Sequence, residues 1–137
     1  MCRADIIFVV DESGSIGTTN FDLMKEFLSR LVSRLDIDSG NTRVGLVTFS
    51  DGVGTSINLN DHLSVRSFQS AILSLRYSQG QTYTHAALAH VHTRMLTSAA
   101  GDRSNVPNVV VVLTDGGSTV PTMTQVNNSV IKCIAYW

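Results

Sequence analysis

The chain has 137 residues, 43% of them hydrophobic, with a net charge of -1 and a pI of about 6.4. That length suits one domain, and the apolar fraction affords a core and argues against disorder. The near-neutral charge gives no electrostatic reason for a nucleic acid or an anionic membrane as partner, so binding must come from a local site.

Taken in order, Asp5 to Val10 is short, continuous and β-branched, and predicts a strand buried on both faces. Small polar residues follow through Asn20. Phe21, Met24, Leu28, Leu31 and Leu35 then recur every three or four residues, a helical stripe that Phe27 and Val32 widen. Asp38-Ser39-Gly40-Asn41 is turn chemistry. Arg43 to Ser50 is a second strand. Thr55 to Leu59 alternates as a half-exposed edge strand does, and Ser50-Asp51-Gly52 is short enough for a hairpin between them. Val65, Phe68, Ile72 and Leu75 mark a second helix with Ser64 as N-cap; Ala87, Leu88, Val91 and Met95 mark a third; Asn108 to Thr114 is another buried strand.

This alternation predicts an α/β fold: a doubly wound, mainly parallel sheet with an antiparallel edge strand and helices on both faces. Such sheets bind ligands outside the carboxyl ends of their strands, where strand order reverses. The loops after Val10 and after Leu113 are therefore the places to search. No apolar run approaches the roughly 18 to 20 residues of a membrane span. No signal-peptide pattern precedes the first strand, which by itself says little about location.

The first of those loops reads Asp11-Glu12-Ser13-Gly14-Ser15, and the second begins at Asp115, followed by Gly116-Gly117. A third polar stretch, Gly80-Gln81-Thr82-Tyr83-Thr84, stands just before the third helix. Glycines let the first loop turn tightly and bring hydroxyls toward one point. Oxygen donors without sulfur or imidazole suit a hard cation, and two carboxylates leave it electrophilic enough to accept a third from outside.

These residues resemble the von Willebrand factor A (VWFA) family. Asp11-Glu12-Ser13-Gly14-Ser15 after an apolar strand matches the DxSxS signature of its metal-ion-dependent adhesion site. Tyr77 to Leu88 resembles the second motif, with Thr82 at the matching threonine, and Leu113-Thr114-Asp115-Gly116 resembles the third. Arg43 to Ser50 is similar to the family's second strand. The resemblance implies metal ligation by Asp11, Ser13, Ser15, Thr82 and Asp115. The hydroxyls would bind directly, the aspartates directly or through water, and Glu12 and Gly14 would be spacers. It implies Mg²⁺ or Mn²⁺, with Ca²⁺ less favoured, although all three accept oxygen ligands. It also implies a non-enzymatic adhesion module that binds a Glu or Asp carboxylate of a collagen or other matrix or cell-surface protein. The Ile-rich first strand after Cys2 resembles secreted, extracellular matrix members.

Two local departures stand out: Gln79-Gly80 replaces a glycine pair, and His85 follows Thr84 where glycine is frequent. The third concerns the end. The resemblance is strongest over 5–117, and the family adds further helices and strands after the third motif. Residues 1–137 are thus expected to be a single VWFA-type domain, incomplete at the C-terminus, as a fragment, isoform or gene model. Its strand at 108–114 would be left at an edge and its stability would be poor. Val130 to Trp137 reads as a strand or a helix.

Blander readings stand beside these. Ser13 or Ser15 could be an N-cap, and Asp115 a turn aspartate before glycines; agreement among three motifs favours the site. His62, His85, His90 and His92 lack zinc-site spacing, and His85 alone falls near the rim. Cys2 and Cys133 could tie the termini together or remain free thiols. The sequon Asn127-Asn128-Ser129 adds little. Two rival functions remain. One is an intracellular scaffold module of the same fold. The other is a serine esterase, since Ser13-Gly14-Ser15-Ile16-Gly17 approaches a nucleophile elbow at Ser15, without the acid-then-histidine order that chemistry needs.

Overall fold

A computed structural model describes residues 2–114 in full and 130–136 as backbone. Five strands form one sheet in the order β3-β2-β1-β4-β5: β1 Ala4–Asp11, β2 Thr42–Phe49, β3 Val53–Ile57, β4 Asn108–Thr114 and β5 Val130–Tyr136. All neighbours are parallel except β2 and β3, joined through the tight turn in which Ser50 N donates to Gly52 O at 3.0 Å. Strand order reverses between β1 and β4, so the crevice of a doubly wound sheet opens above those two strands.

Alternation along the central strand splits the core in two. Phe8 and Val10 face helices α1 (Thr18–Val32) and α2 (Val65–Leu73), packing with Phe21, Met24, Leu28, Phe68 and Ile72. Ile7 and Val9 face the other way, against Ala87 and Leu88 of α3 (Thr84–His90) and against Met95. Each of these large side chains contributes about 2 kcal/mol through burial, so the sheet centre is the rigid part of the molecule. The α1 stripe comprises Phe21, Met24, Leu28 and Val32; Phe27 lies off it and is 39% exposed, contrary to expectation. Ser64 caps α2, its hydroxyl accepting from Ser67 N at 3.2 Å. α3 runs into a wider π-type turn, Val91–Met95, that periodicity alone did not separate from it. No described helix is long and apolar enough to cross a membrane.

One expectation is corrected here, and two open alternatives are decided. β4 is not an edge: β5 lies parallel along its whole length, from Asn108↔Val130 to Thr114↔Tyr136, and so settles the last segment as strand. This pairing also separates the cysteines. Val111 is in register with both Phe8 and Cys133. Cys133 therefore lies two strand spacings, about 10 Å, to the side of Phe8, while Ala4 lies about 13 Å down the strand from it. Two more residues reach back at most about 7 Å. A Cys2–Cys133 disulfide, which needs Cα atoms within about 7 Å, does not fit this register; Cys2 is an exposed free thiol.

The end of the sheet opposite the crevice is held by a buried ion pair. Asp5 is fully buried, and Arg103 grips it through Nη2 at 2.6 Å, Nε at 2.9 Å and its own backbone N–H at 2.9 Å. The same guanidinium donates to the carbonyls of Ala4, Gly40 and Asn41. One side chain thus ties β1 to the loops before β2 and before β4.

Candidate metal centre

Asp11 is the last residue of β1 and is fully buried. Its Oδ1 accepts from Ser13 N at 2.8 Å, a short Asx turn that folds the loop back over the strand end. Its Oδ2 accepts from the hydroxyl of Thr114, the last residue of β4, at 2.8 Å. Val10 stands in register with Leu113, so the two strands end side by side and make this contact available. Among the described residues no Lys or Arg forms an ion pair with Asp11.

The loop then presents hydroxyls. Ser13 is fully buried, Ser15 is exposed, and their Oγ atoms are 3.1 Å apart. Gly17 leaves the loop at φ 80°, a conformation that favours glycine, and starts α1 without a side-chain cap. The loop before α3 lies alongside. Gly14 N donates to Gly80 O at 3.0 Å, and Tyr83 N donates to Ser50 O at 3.0 Å. Gly80 leaves room for Asp51: a Cβ there would stand 2.8 Å from its carboxyl, whose Oδ1 accepts from Gln81 N at 2.7 Å. Thr82, two residues on, is 7% exposed.

Asp11, Ser13 and Ser15 are thus joined by direct contacts, and Thr82 belongs to a loop fastened to theirs. Asp115 lies outside the described residues, though Thr114 immediately before it is bonded to Asp11. Tyr77 and Thr114, which sequence reasoning did not single out as site residues, both touch this loop or its carboxylate. The tyrosine hydroxyl donates to Ser13 O at 2.7 Å and accepts from Gly17 N at 3.1 Å. No local pattern marks either residue, because their partners are distant in sequence.

Glu12 is more than a spacer. It is 4% exposed, and its carboxyl accepts hydrogen bonds from Ser78 and Thr48. Burial pushes its carboxyl above the ordinary carboxylate range; hydrogen bonds from Ser78 and Thr48 oppose this, and the negative charge of Asp11 adds to the rise. Gly54 makes room for it, since a Cβ there would overlap Glu12 Oε1 and Thr48 Oγ1.

The histidines are dispersed. His90 Nε2 meets Ser56 Oγ at 2.9 Å, His62 Nδ1 meets Ser67 Oγ at 2.5 Å, and His85 packs edge-on against Tyr83 at 5.7 Å. Ser15 Oγ has Ser13 Oγ as its hydrogen-bonding neighbour and not an imidazole.

The donor set fits a hard cation. A carboxylate buried without a cationic partner costs several kcal/mol unless its charge is met. The oxygen cluster around Asp11, which no described Lys or Arg reaches with an ion pair, opens on the exposed Ser15, at the strand ends where doubly wound sheets generally bind ligands.

The chain is 41% identical over 118 residues to the collagen alpha-4(VI) chain of Mus musculus, covering 85% of this chain and 5% of that one. It is 38% identical over 112 residues to integrin alpha-X of Mus musculus, covering 82% and 9%. It therefore spans a small part of these relatives. Proximal thread matrix protein 1 from the mussel byssus superposes with a TM-score of 0.88 at 27% identity, covering 97% of this chain and 37% of that one. Another structure of that protein has a zinc-occupied metal-ion-dependent adhesion site and superposes at 0.85 with 26% identity. Its relatives include matrix and adhesion proteins, and the von Willebrand factor type A domain family matches residues 5–135. The chain belongs to the von Willebrand factor type A domain family.

Proposed function

We propose that this domain is a non-enzymatic, divalent-cation-dependent adhesion module of an extracellular protein. Ser13, Ser15 and Thr82 supply hydroxyl ligands to Mg²⁺ or Mn²⁺, and Asp11 and Asp115 bind it directly or through water. A Glu or Asp side chain of a matrix or cell-surface protein completes the coordination. The observation that carries this reading is the fully buried Asp11, ringed by the Ser13 N–H and the Thr114 hydroxyl, with two serine hydroxyls beside it. Hydrogen bonds orient the carboxylate but do not neutralise it, and a bound cation does. The matrix and adhesion relatives support an extracellular setting and a protein ligand. The zinc-occupied site of the byssus protein supports a divalent ion at this place in the fold.

The test is a binding screen against collagens and other matrix proteins in Mg²⁺, in EDTA, and with Asp11→Ala in Mg²⁺. Binding in the first condition and its loss in the other two is expected. Equal binding in all three would remove the metal-bridge mechanism.

A further inference from the structure

The serine loop and the threonine loop share one buttress. The hydroxyl of Tyr77 serves two partners: it donates to Ser13 O at 2.7 Å and accepts from Gly17 N at 3.1 Å. Those groups lie at the two ends of the segment that carries Ser15. The Ser13 carbonyl also accepts from Ile16 N at 3.2 Å, which closes the turn between them. The ring of Tyr77 rests on Phe21 of α1, centroids 5.2 Å apart, and Phe21 is fully buried. The tyrosine is therefore anchored on the helix–sheet core while its oxygen reaches both ends of the Ser13–Gly17 turn.

Geometry explains why such a strap is needed. Gly14 and Gly17 give this loop backbone freedom, and the N–H of Gly17, the N-cap of α1, donates to the Tyr77 hydroxyl. Two hydroxyls aimed at one ion must be held to within a fraction of an ångström. Tyr77 also opens the segment that leads to Gly80 and Thr82, and Gly80 O accepts from Gly14 N at 3.0 Å. The two loops are thus fastened at Ser13, Gly14 and Gly17 by residues of a single stretch, 77–80.

We propose that Tyr77 is a positioning residue for the cation site: its hydroxyl sets the Ser13–Ser15 spacing and keeps that loop in register with the loop bearing Thr82. This rests on the cation reading above. Tyr77 touches no ion; it acts through the backbone of Ser13 and Gly17.

The test is isothermal titration of the whole chain with Mn²⁺ alone, for the wild type, Tyr77→Phe and Met95→Ala. Tyr77→Phe keeps the ring and its packing and loses only the strap. Its Mn²⁺ affinity is expected to fall about tenfold or more, as for other groups that orient metal ligands. Its thermal midpoint in EDTA should shift less than that of Met95→Ala, which damages the other half of the core, away from Tyr77, and should bind Mn²⁺ nearly as the wild type does. Amide exchange at Gly17 in EDTA should accelerate in Tyr77→Phe alone. Unchanged affinity in Tyr77→Phe, or losses of affinity that merely follow stability in both variants, would overturn the proposal. A wild type that binds no Mn²⁺ would instead overturn the cation reading itself.

Discussion

Thr114 and Asp11, 103 positions apart in sequence, meet at the ends of adjacent parallel strands, where the threonine hydroxyl donates to the aspartate at 2.8 Å. With Ser13 N on the other carboxylate oxygen, the group is held from both sides. Thr114→Val is nearly isosteric and removes one of those holds. Metal affinity is expected to fall by about ten- to a hundredfold, with Asp11 still present but free to turn. Titration with Mn²⁺ measures this, and an unchanged affinity would show that Ser13 N suffices.

The close approach at Gly80 makes a second prediction. Gly80→Ala places a methyl group against the Asp51 carboxyl, so either that exposed side chain turns away and gives up its bond from Gln81 N, or the threonine loop shifts relative to Gly14. Mn²⁺ binding should weaken while the core, which Gly80 does not enter, stays folded. Adding Asp51→Ser relieves part of the overlap, and the double variant should bind better than Gly80→Ala alone. Additive losses in that cycle would mean the two positions are not coupled.

Glu12 makes stability depend on pH in a definite direction. Its folded pKa is raised above the ordinary value, so the folded state holds the proton more tightly than the unfolded chain does. The stabilisation associated with that shift is fully present below the unfolded pKa and is lost as pH rises through the folded one. Glu12→Gln, which cannot ionise, should therefore gain stability relative to the wild type between pH 4 and pH 7. Urea unfolding at the two pH values checks it; a difference that does not change with pH would contradict the assignment.

At the far end of the sheet, Arg103→Ala leaves Asp5 buried without its partner. Removing one member of a buried pair costs about 3 to 5 kcal/mol. Replacing both, as Asp5→Val with Arg103→Met, should cost much less, because no charge is then stranded. Chemical denaturation of the three proteins separates these outcomes, and this end should leave metal affinity largely unaffected in whatever folds.

Much of the fold was legible because the signals are local. The continuous apolar runs at 6–10 and 109–113 are the two strands that flank the crevice, and the spacing of Phe21, Met24, Leu28 and Val32 is the buried face of α1. Asp11, Ser13 and Ser15 were legible for the same reason: they lie within five residues, directly after a strand. Phe27 misled because one helical position off the stripe turns a side chain outward, and a hydrophobic residue carries no mark of which flank is covered.

By itself, then, the sequence determined the order of the elements up to β4, the strand ends at which to look for a ligand site, and the serine loop placed there. Tertiary structure alone decided what holds that loop: Tyr77 on Ser13 and Gly17, Gly80 on Gly14, and Thr114 on Asp11. It decided equally that β5 covers β4, that Arg103 closes over Asp5, and that Cys2 is far from Cys133. The physical reason is separation along the chain. The loop-holding, ion-pair and strand-register relationships join groups dozens to more than a hundred positions apart or depend on strand register, and neither periodicity nor turn chemistry reaches across such distances.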